Sequence, residues 1–239
     1  TETSVGALTS DGVETVYYQS GNTIFSQAST GRTPVPAQAG TTAQKMAVLQ
    51  VDGKAPTLCW TRSGVLAEGG GIYCAGTDPM NADHIGQSTF SGGIAGDGKR
   101  VFTITNVGQD NAQLFAADPN VGEPIMMTPL AIDVAVDETQ VYWIASNSTL
   151  HSGQNLMVKP EPLEAAPLPA LPIELEVRGD YVYVMSATRI SRYQRDTLAA
   201  DPNFAIDATT SQALLDFAVD DDGVYWLAAG EPGTVGFLR

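Results

Sequence analysis

The chain is poor in positive charge, in histidine, in cysteine and in long apolar runs, and each shortage closes off a class of function. Its 239 residues hold 12 Lys and Arg against 27 Asp and Glu, a formal net charge of -15. A surface of that sign repels phosphate backbones and anionic membrane surfaces, so no nucleic-acid partner is expected, and a cationic, neutral or protein ligand is favoured. No run of about 18 apolar residues occurs, so no segment reads as a membrane-spanning helix. Only His84 and His151 could serve as imidazole bases. With no Gly-x-Ser-x-Gly elbow and no Gly-rich loop ahead of a helix, neither a hydrolytic triad nor a phosphate cradle has its parts. Both histidines fall in stretches that read as loops. No segment combines helical periodicity with caps, and the 24 Gly and 14 Pro are scattered through turns rather than gathered into a linker. The chain opens on Thr1 with no basic-plus-apolar leader, as expected of a mature exported product or a trimmed one.

The two cysteines, Cys59 and Cys74, match no zinc or redox spacing. Falling on adjacent antiparallel strands of one predicted hairpin, they are expected to form a disulfide. The alternative is two buried thiols acting as small hydrophobes, as in reducing compartments.

What is present is a repeat. The stretch Ala218-Val219-Asp220-Asp221-Asp222-Gly223-Val224-Tyr225-Trp226 returns along the chain, with Tyr225 matched by Tyr17, Cys59, Phe102, Tyr142 and Tyr183 at steps of 40 to 43 residues. Each of the six copies opens on an apolar strand whose core position reads Leu8, Leu49, Ile94, Val134, Leu175 and Phe217, with period-two patterning. An Asp- and Gly-rich hairpin turn follows, because both residues tolerate positive φ. The second strand is bulky on both faces, as in Val141-Tyr142-Trp143 and Val224-Tyr225-Trp226, and must therefore be covered on both. A third strand is visible in Thr23-Ile24-Phe25, Gly71-Ile72-Tyr73, Gln113-Leu114-Phe115, Arg189-Ile190-Ser191 and Thr234 to Phe237. In repeat four it reads best as Asn155 to Val158, with Thr149-Leu150 as the other choice. A short fourth strand is placed at stretches such as Thr33 to Ala37, Ile125 to Pro129 and the Pro-rich Pro160 to Pro172, since proline is tolerated at an edge.

The repeat length, and the form Val-Ala-Val-Asp or Phe-Ala-Val-Asp followed by Val-Tyr-Trp, resemble six-bladed β-propellers of the YWTD, NHL and TolB-like type, and especially secreted bacterial proteins with such blades. The resemblance implies an all-β fold: one propeller domain over 1–239, with repeats at about 1–40, 41–87, 88–129, 130–171, 172–212 and 213–239. Each blade would have about four antiparallel strands, and the last is expected to stop at three, since Arg239 follows its third strand directly. It further implies a secreted, periplasmic or cell-surface binding platform, monomeric and without catalytic activity, for a protein, small-molecule or carbohydrate ligand. The ligand contacts are expected on the rim bearing the loops from second to third strand and the connections from one blade to the next.

One set of residues favours a different chemistry. The residue before the core position of the first strand is Ala7, Val48 and Gly93 in the first three repeats but Asp133, Glu174 and Asp216 in the last three, with Glu176 one pleat deeper. Carboxylates from neighbouring blades at one channel mouth would suit calcium, the one cofactor the sequence suggests, and a metal-dependent hydrolase or lyase, resembling the lactonase propellers. The plainer reading is a hydrated acidic mouth. A lectin, the remaining alternative, would need exposed aromatics in every blade. Three smaller signals read as structure: Asp220 to Gly223 and Arg178-Gly179-Asp180 as turns, and Asn147-Ser148-Thr149 as a sequon in a loop.

Overall fold

The computed structural model describes residues 5–10, 16–20, 23–28, 31–34, 45–49, 57–62, 71–75, 82–87, 91–97, 99–117, 122–154, 162–208, 213–220, 222–229 and 234–239. The expected turns at Asp11-Gly12 and Asp52 to Lys54, and the loop stretches 63–70 and 230–233, lie outside them. The chain divides into two compact units, Thr1–Pro129 and Leu130–Arg239.

Each unit is built from antiparallel meanders in which every strand pairs with the next in sequence. The first unit holds β1 (Val5–Ser10), β2 (Val16–Ser20), β3 (Thr23–Ala28) and β4 (Gly31–Pro34) in one sheet. A second sheet is β5 (Met46–Leu49), β6 (Thr57–Arg62), β7 (Gly71–Ala75) and β8 (Ala82–Gln87). The third is β9 (Ser91–Gly96), β10 (Val101–Thr105), β11 (Gln113–Ala117) and β12 (Gly122–Met127).

The second unit holds β13 (Ala131–Val136), β14 (Gln140–Ala145), β15 (Thr149–Gln154) and β16 (Pro162–Pro167). Next come β17 (Pro172–Arg178), β18 (Tyr181–Ser186), β19 (Arg189–Gln194) and β20 (Ala200–Asp207). The last sheet is β21 (Leu214–Val219), β22 (Val224–Ala228) and β23 (Thr234–Leu238). Among the described residues the complete four-stranded sheets number five, where six blades were expected. The sixth repeat has three strands among the described residues.

Within each unit the first strands of successive sheets approach one another, β1 to β5 to β9 and β13 to β17 to β21. The alternating faces of each second strand then enter two different cores. On β18, Val182 and Val184 join Tyr142, Ile144, Leu150 and Leu175, while Tyr183 and Met185 join Ile190, Ile206, Phe217 and Val224. The first unit repeats the pattern: Cys59 of β6 packs with Leu49, Ile72 and Ile94, and Leu58 and Trp60 pack with Ile24, Met46 and Tyr73. This two-sided burial is why β18 is bulky and apolar on both faces; each fully buried aliphatic or aromatic side chain contributes about 1.5–3 kcal/mol.

The Asp of the repeat stabilises the first hairpin. Asp137 Oδ1 accepts the backbone N–H groups of Thr139 and Gln140, both at 2.7 Å, while its own N–H donates to the Gln140 carbonyl. Asp97 accepts from Lys99 and Arg100, and Asp220 from Asp222 and Gly223, in the same way. In Arg178-Gly179-Asp180 the turn is made instead by Gly179 at φ +56°, the left-handed region that glycine enters without steric cost.

Four strand assignments differ from the sequence reading. The third strand of repeat four is Thr149–Gln154, not Asn155 to Val158, because β14 and β15 are joined by the three-residue turn 146–148, with Ser148 N–H on the Ala145 carbonyl. His151 therefore lies on a strand, paired with Trp143, rather than in a loop. His84 likewise lies within β8, paired with Tyr73. The fourth strands β4 and β12 also begin two or three residues before the expected Thr33 and Ile125.

Candidate functional site

Two of the four carboxylates expected at a metal site, Asp133 and Glu176, each accept a backbone N–H from the next sheet. Asp133, only 5% exposed, accepts the backbone N–H of Leu175 on the next sheet through Oδ2 at 3.0 Å. Glu176 Oε2 accepts the N–H of Val219 on the following sheet at 2.8 Å. Both latches obey one rule: an acid on the first strand of one sheet reaches the amide one position beyond its own counterpart in the next. Glu174, also buried, would reach the Phe217 N–H by that rule, but Asp216 Oδ1 already holds it at 2.9 Å. The latch in this sheet moves one pleat along to Glu176. Among the described residues, Asp133, Glu174, Asp216 and Glu176 are not brought together as a cluster of three ligands.

Cys59 and Cys74 are bonded, as cross-strand partners on β6 and β7. His151 stacks on Trp143 with ring centroids 5.2 Å apart, and its Nε2 lies 2.7 Å from Thr149 Oγ1. Burial holds its pKa below the usual histidine value, so the ring favours its neutral form. Trp143 is buried beneath it. The pair is part of a sheet face, not a base facing a nucleophile in a cleft.

Among the described residues the second unit has a cleft of about 710 Å³. One wall is Leu168, Pro169 and Pro172, from the connection between β16 and β17; the other is Ala208 and Ala213, from the connection between β20 and β21. Its floor is Val184 and Tyr193, and the tight β18–β19 turn, Ala187 and Thr188, forms one side. The walls are fixed from the backbone. Thr188 O accepts the Ala208 N–H, Ala187 O accepts the Leu214 N–H, and Ser148 O accepts the Leu168 N–H, each at 2.8 Å. Ser186 Oγ closes the turn by bonding both N–H and carbonyl of Arg189.

At the rim, Arg189 Nε stands 3.5 Å from Asp207 Oδ1, with both side chains substantially exposed. Such a pair in water contributes little to stability and remains available to a ligand. The cleft offers an apolar floor, one guanidinium and one carboxylate. It holds no imidazole, thiol or metal-binding cluster. It lies on the rim expected to carry ligand contacts, but not at the longer loops that the sequence favoured, since the Ala187-Thr188 turn is among the shortest. The missed signal is Pro169-Ala170-Leu171-Pro172, read as an edge strand.

Among solved structures, the chain is similar to one in the crystal structure of a nidogen/laminin complex, with 15% identity over 85% of this chain and 80% of that one and a TM-score of 0.65. It is similar also to the computationally designed Ika8 protein, at 12% identity over 99% and 72% of the two chains and a TM-score of 0.66. The AfRom2 CNH domain matches at 10% identity over 98% and 80%, again at 0.66. The fold is an all-β propeller. No family model matches the sequence, and no curated protein does. At these identities the likeness carries the propeller fold and not an activity.

Proposed function

We propose that this propeller is a binding module without catalytic activity, taking a polypeptide segment in the cleft lined by Leu168, Pro169, Pro172, Ala208 and Ala213. The observation that carries the reading is the cleft itself: concave, apolar at its floor, walled by proline and backbone hydrogen bonds, with Arg189 and Asp207 at the rim. An apolar side chain fits the floor, while Arg189 and Asp207 suit the polar groups flanking it in a peptide. Concave apolar sites with a few fixed polar groups are the usual form of a binding site. The nidogen/laminin complex, an assembly of two proteins, is in keeping with such a role.

The test is selection from a random peptide library, with the Ala187→Trp variant as control, since a tryptophan at this exposed turn would fill the cleft. Peptides that bind the unaltered chain and lose at least tenfold in affinity on Ala187→Trp are expected. Peptides indifferent to that change would overturn the assignment.

The metal-dependent reading is disfavoured because Asp133, Glu176 and Asp216 already accept backbone N–H groups. A lectin is disfavoured because the second-strand aromatics Tyr142, Trp143 and Tyr183 are buried. We also take the three-stranded sheet β21–β22–β23 as a sixth, incomplete blade, and place the protein in an oxidising compartment, supported by the Cys59–Cys74 bond. Free-thiol labelling of denatured protein from its native source checks the last point: two reactive thiols would remove its support.

A further inference from the structure

Resting on the cleft as a peptide site, we propose that the segment it takes is aliphatic and basic, and that it continues from the cleft over Ile173 and Leu215, two side chains that β-bulges turn out of their sheets. In all three sheets of the second unit the first strand carries one extra residue against the second. Ala131 and Asp133 pair with consecutive residues of β14, Pro172 and Glu174 with consecutive residues of β18, and Leu214 and Asp216 with consecutive residues of β22. The residues left over are Ile132, Ile173 and Leu215. A bulge re-aims the side chain it carries, and bulges gather beside functional sites for that reason.

The three are alike in being aliphatic but not in being covered. Ile132 packs against the core that holds Leu175, whereas Ile173 is 46% and Leu215 60% exposed. Both stand within two residues of the cleft lining. Ile173 follows Pro172, a lining residue whose strand partner is Ser186. The next residue of the same turn, Ala187, accepts the Leu214 N–H at 2.8 Å, and Leu215 follows. The two bulges are thus tied to one turn, the one that forms a side of the cleft, and Leu171, on the other side of Pro172, is 65% exposed as well. Aliphatic side chains grouped beside an apolar cleft, rather than scattered singly, are where a partner is bound.

Charge decides what that partner is. Arg189 and Asp207 offset one another at the rim. Each bulge is followed directly by a carboxylate, Asp133, Glu174 or Asp216, and the whole chain carries a net -15. That field attracts a cationic segment and repels an acidic one, a second copy of this chain included. Lysine and arginine meet both demands of the surface: the methylene stem lies along aliphatic side chains while the charged head stays by a carboxylate.

Selection from a random peptide library tests the proposal, read by the sequences recovered and by their affinities for variants at both places. The recovered peptides are expected to be enriched in lysine or arginine and in aliphatic residues, and to bind at least threefold more weakly when salt is raised from low to physiological concentration. Neither readout needs a variant. In the double variant Ile173→Thr, Leu215→Thr, whose β-branched or small polar replacements suit a strand, they should lose at least tenfold in affinity with the thermal midpoint unchanged. Peptides that are lost in Ala187→Trp but are neutral or acidic, or are indifferent to the double variant, would overturn this proposal and leave the cleft reading standing. Peptides indifferent to Ala187→Trp, or a library from which nothing binds, would overturn both.

Discussion

The second carboxylate oxygen of the repeated Asp takes a side-chain donor that changes with the residue five positions on. In repeats four and six that residue is Tyr142 or Tyr225; the Tyr142 hydroxyl donates to Asp137 Oδ2 at 3.1 Å. In repeat three it is Phe102, which has no hydroxyl, and Arg100 takes its place, donating from Nε and Nη2 to Asp97 Oδ2 while lying 4.9 Å from the Phe102 ring centre. Tyr142→Phe should therefore cost about 0.5–1.5 kcal/mol in chemical denaturation. Adding Gln140→Arg, the residue at the position of Arg100, should recover part of that loss; a double variant no more stable than the single one would show that the two arrangements do not interchange. Burial alone would raise the Asp137 carboxyl, but the N–H groups of Thr139 and Gln140 and the hydroxyls of Thr139 and Tyr142 hold it below its ordinary 3.8. Its folded pKa is depressed, so its contribution is complete above that value and fades as the pH falls through the folded one. Asp137→Asn should be less stable at neutral pH, with a shallower loss on acidification below about pH 4, measured as denaturation midpoints against pH.

Strands were legible where both faces were apolar and ambiguous where the sheet face was polar. The second strands declared themselves through Val-Tyr-Trp because each must enter two cores. β15, by contrast, reads Thr-Leu-His-Ser-Gly-Gln, with only Leu150 as an aliphatic anchor. Its register is set by the 146–148 turn and by His151 stacking on Trp143, neither of which leaves an apolar signature. At β22 and β23 the deciding residue is a glycine. A Cβ on Gly236 would run into the Trp226 ring, so the indole lies flat only because position 236 has no side chain. Gly236→Ala should displace Trp226, cost about 1–3 kcal/mol and shift the tryptophan emission, whereas unchanged emission would contradict the packing.

Over the whole molecule, the propeller was legible because the same burial problem is solved at nearly equal intervals along the chain. The candidate cleft was not, because its walls are connections held by backbone hydrogen bonds, to which side-chain identity is nearly indifferent. The carboxylates Asp133, Glu174 and Asp216 were visible as a pattern, but spacing does not reveal that Asp133 reaches an amide in the next sheet while Asp216 holds the amide that follows it. Asp133→Ala should leave the Leu175 N–H without its acceptor and cost about 1–3 kcal/mol. Calcium should leave the thermal midpoint of the unaltered chain unchanged, while a midpoint that rises with calcium and returns with chelator would restore the metal reading.

The latches from Asp133 to Leu175 and from Glu176 to Val219 have one end that is a side chain and one that is main chain. The receiving amide is present whatever residue follows, proline excepted, so joining two neighbours requires compatibility from only one of them. A gene encoding such units can duplicate, lose or exchange one without waiting for a matching change on the far side of the new junction. The drift among these repeats, where an aligned position reads Ala7, Val48 and Gly93 but also Asp133, Glu174 and Asp216, is the kind of history that so permissive a joint allows.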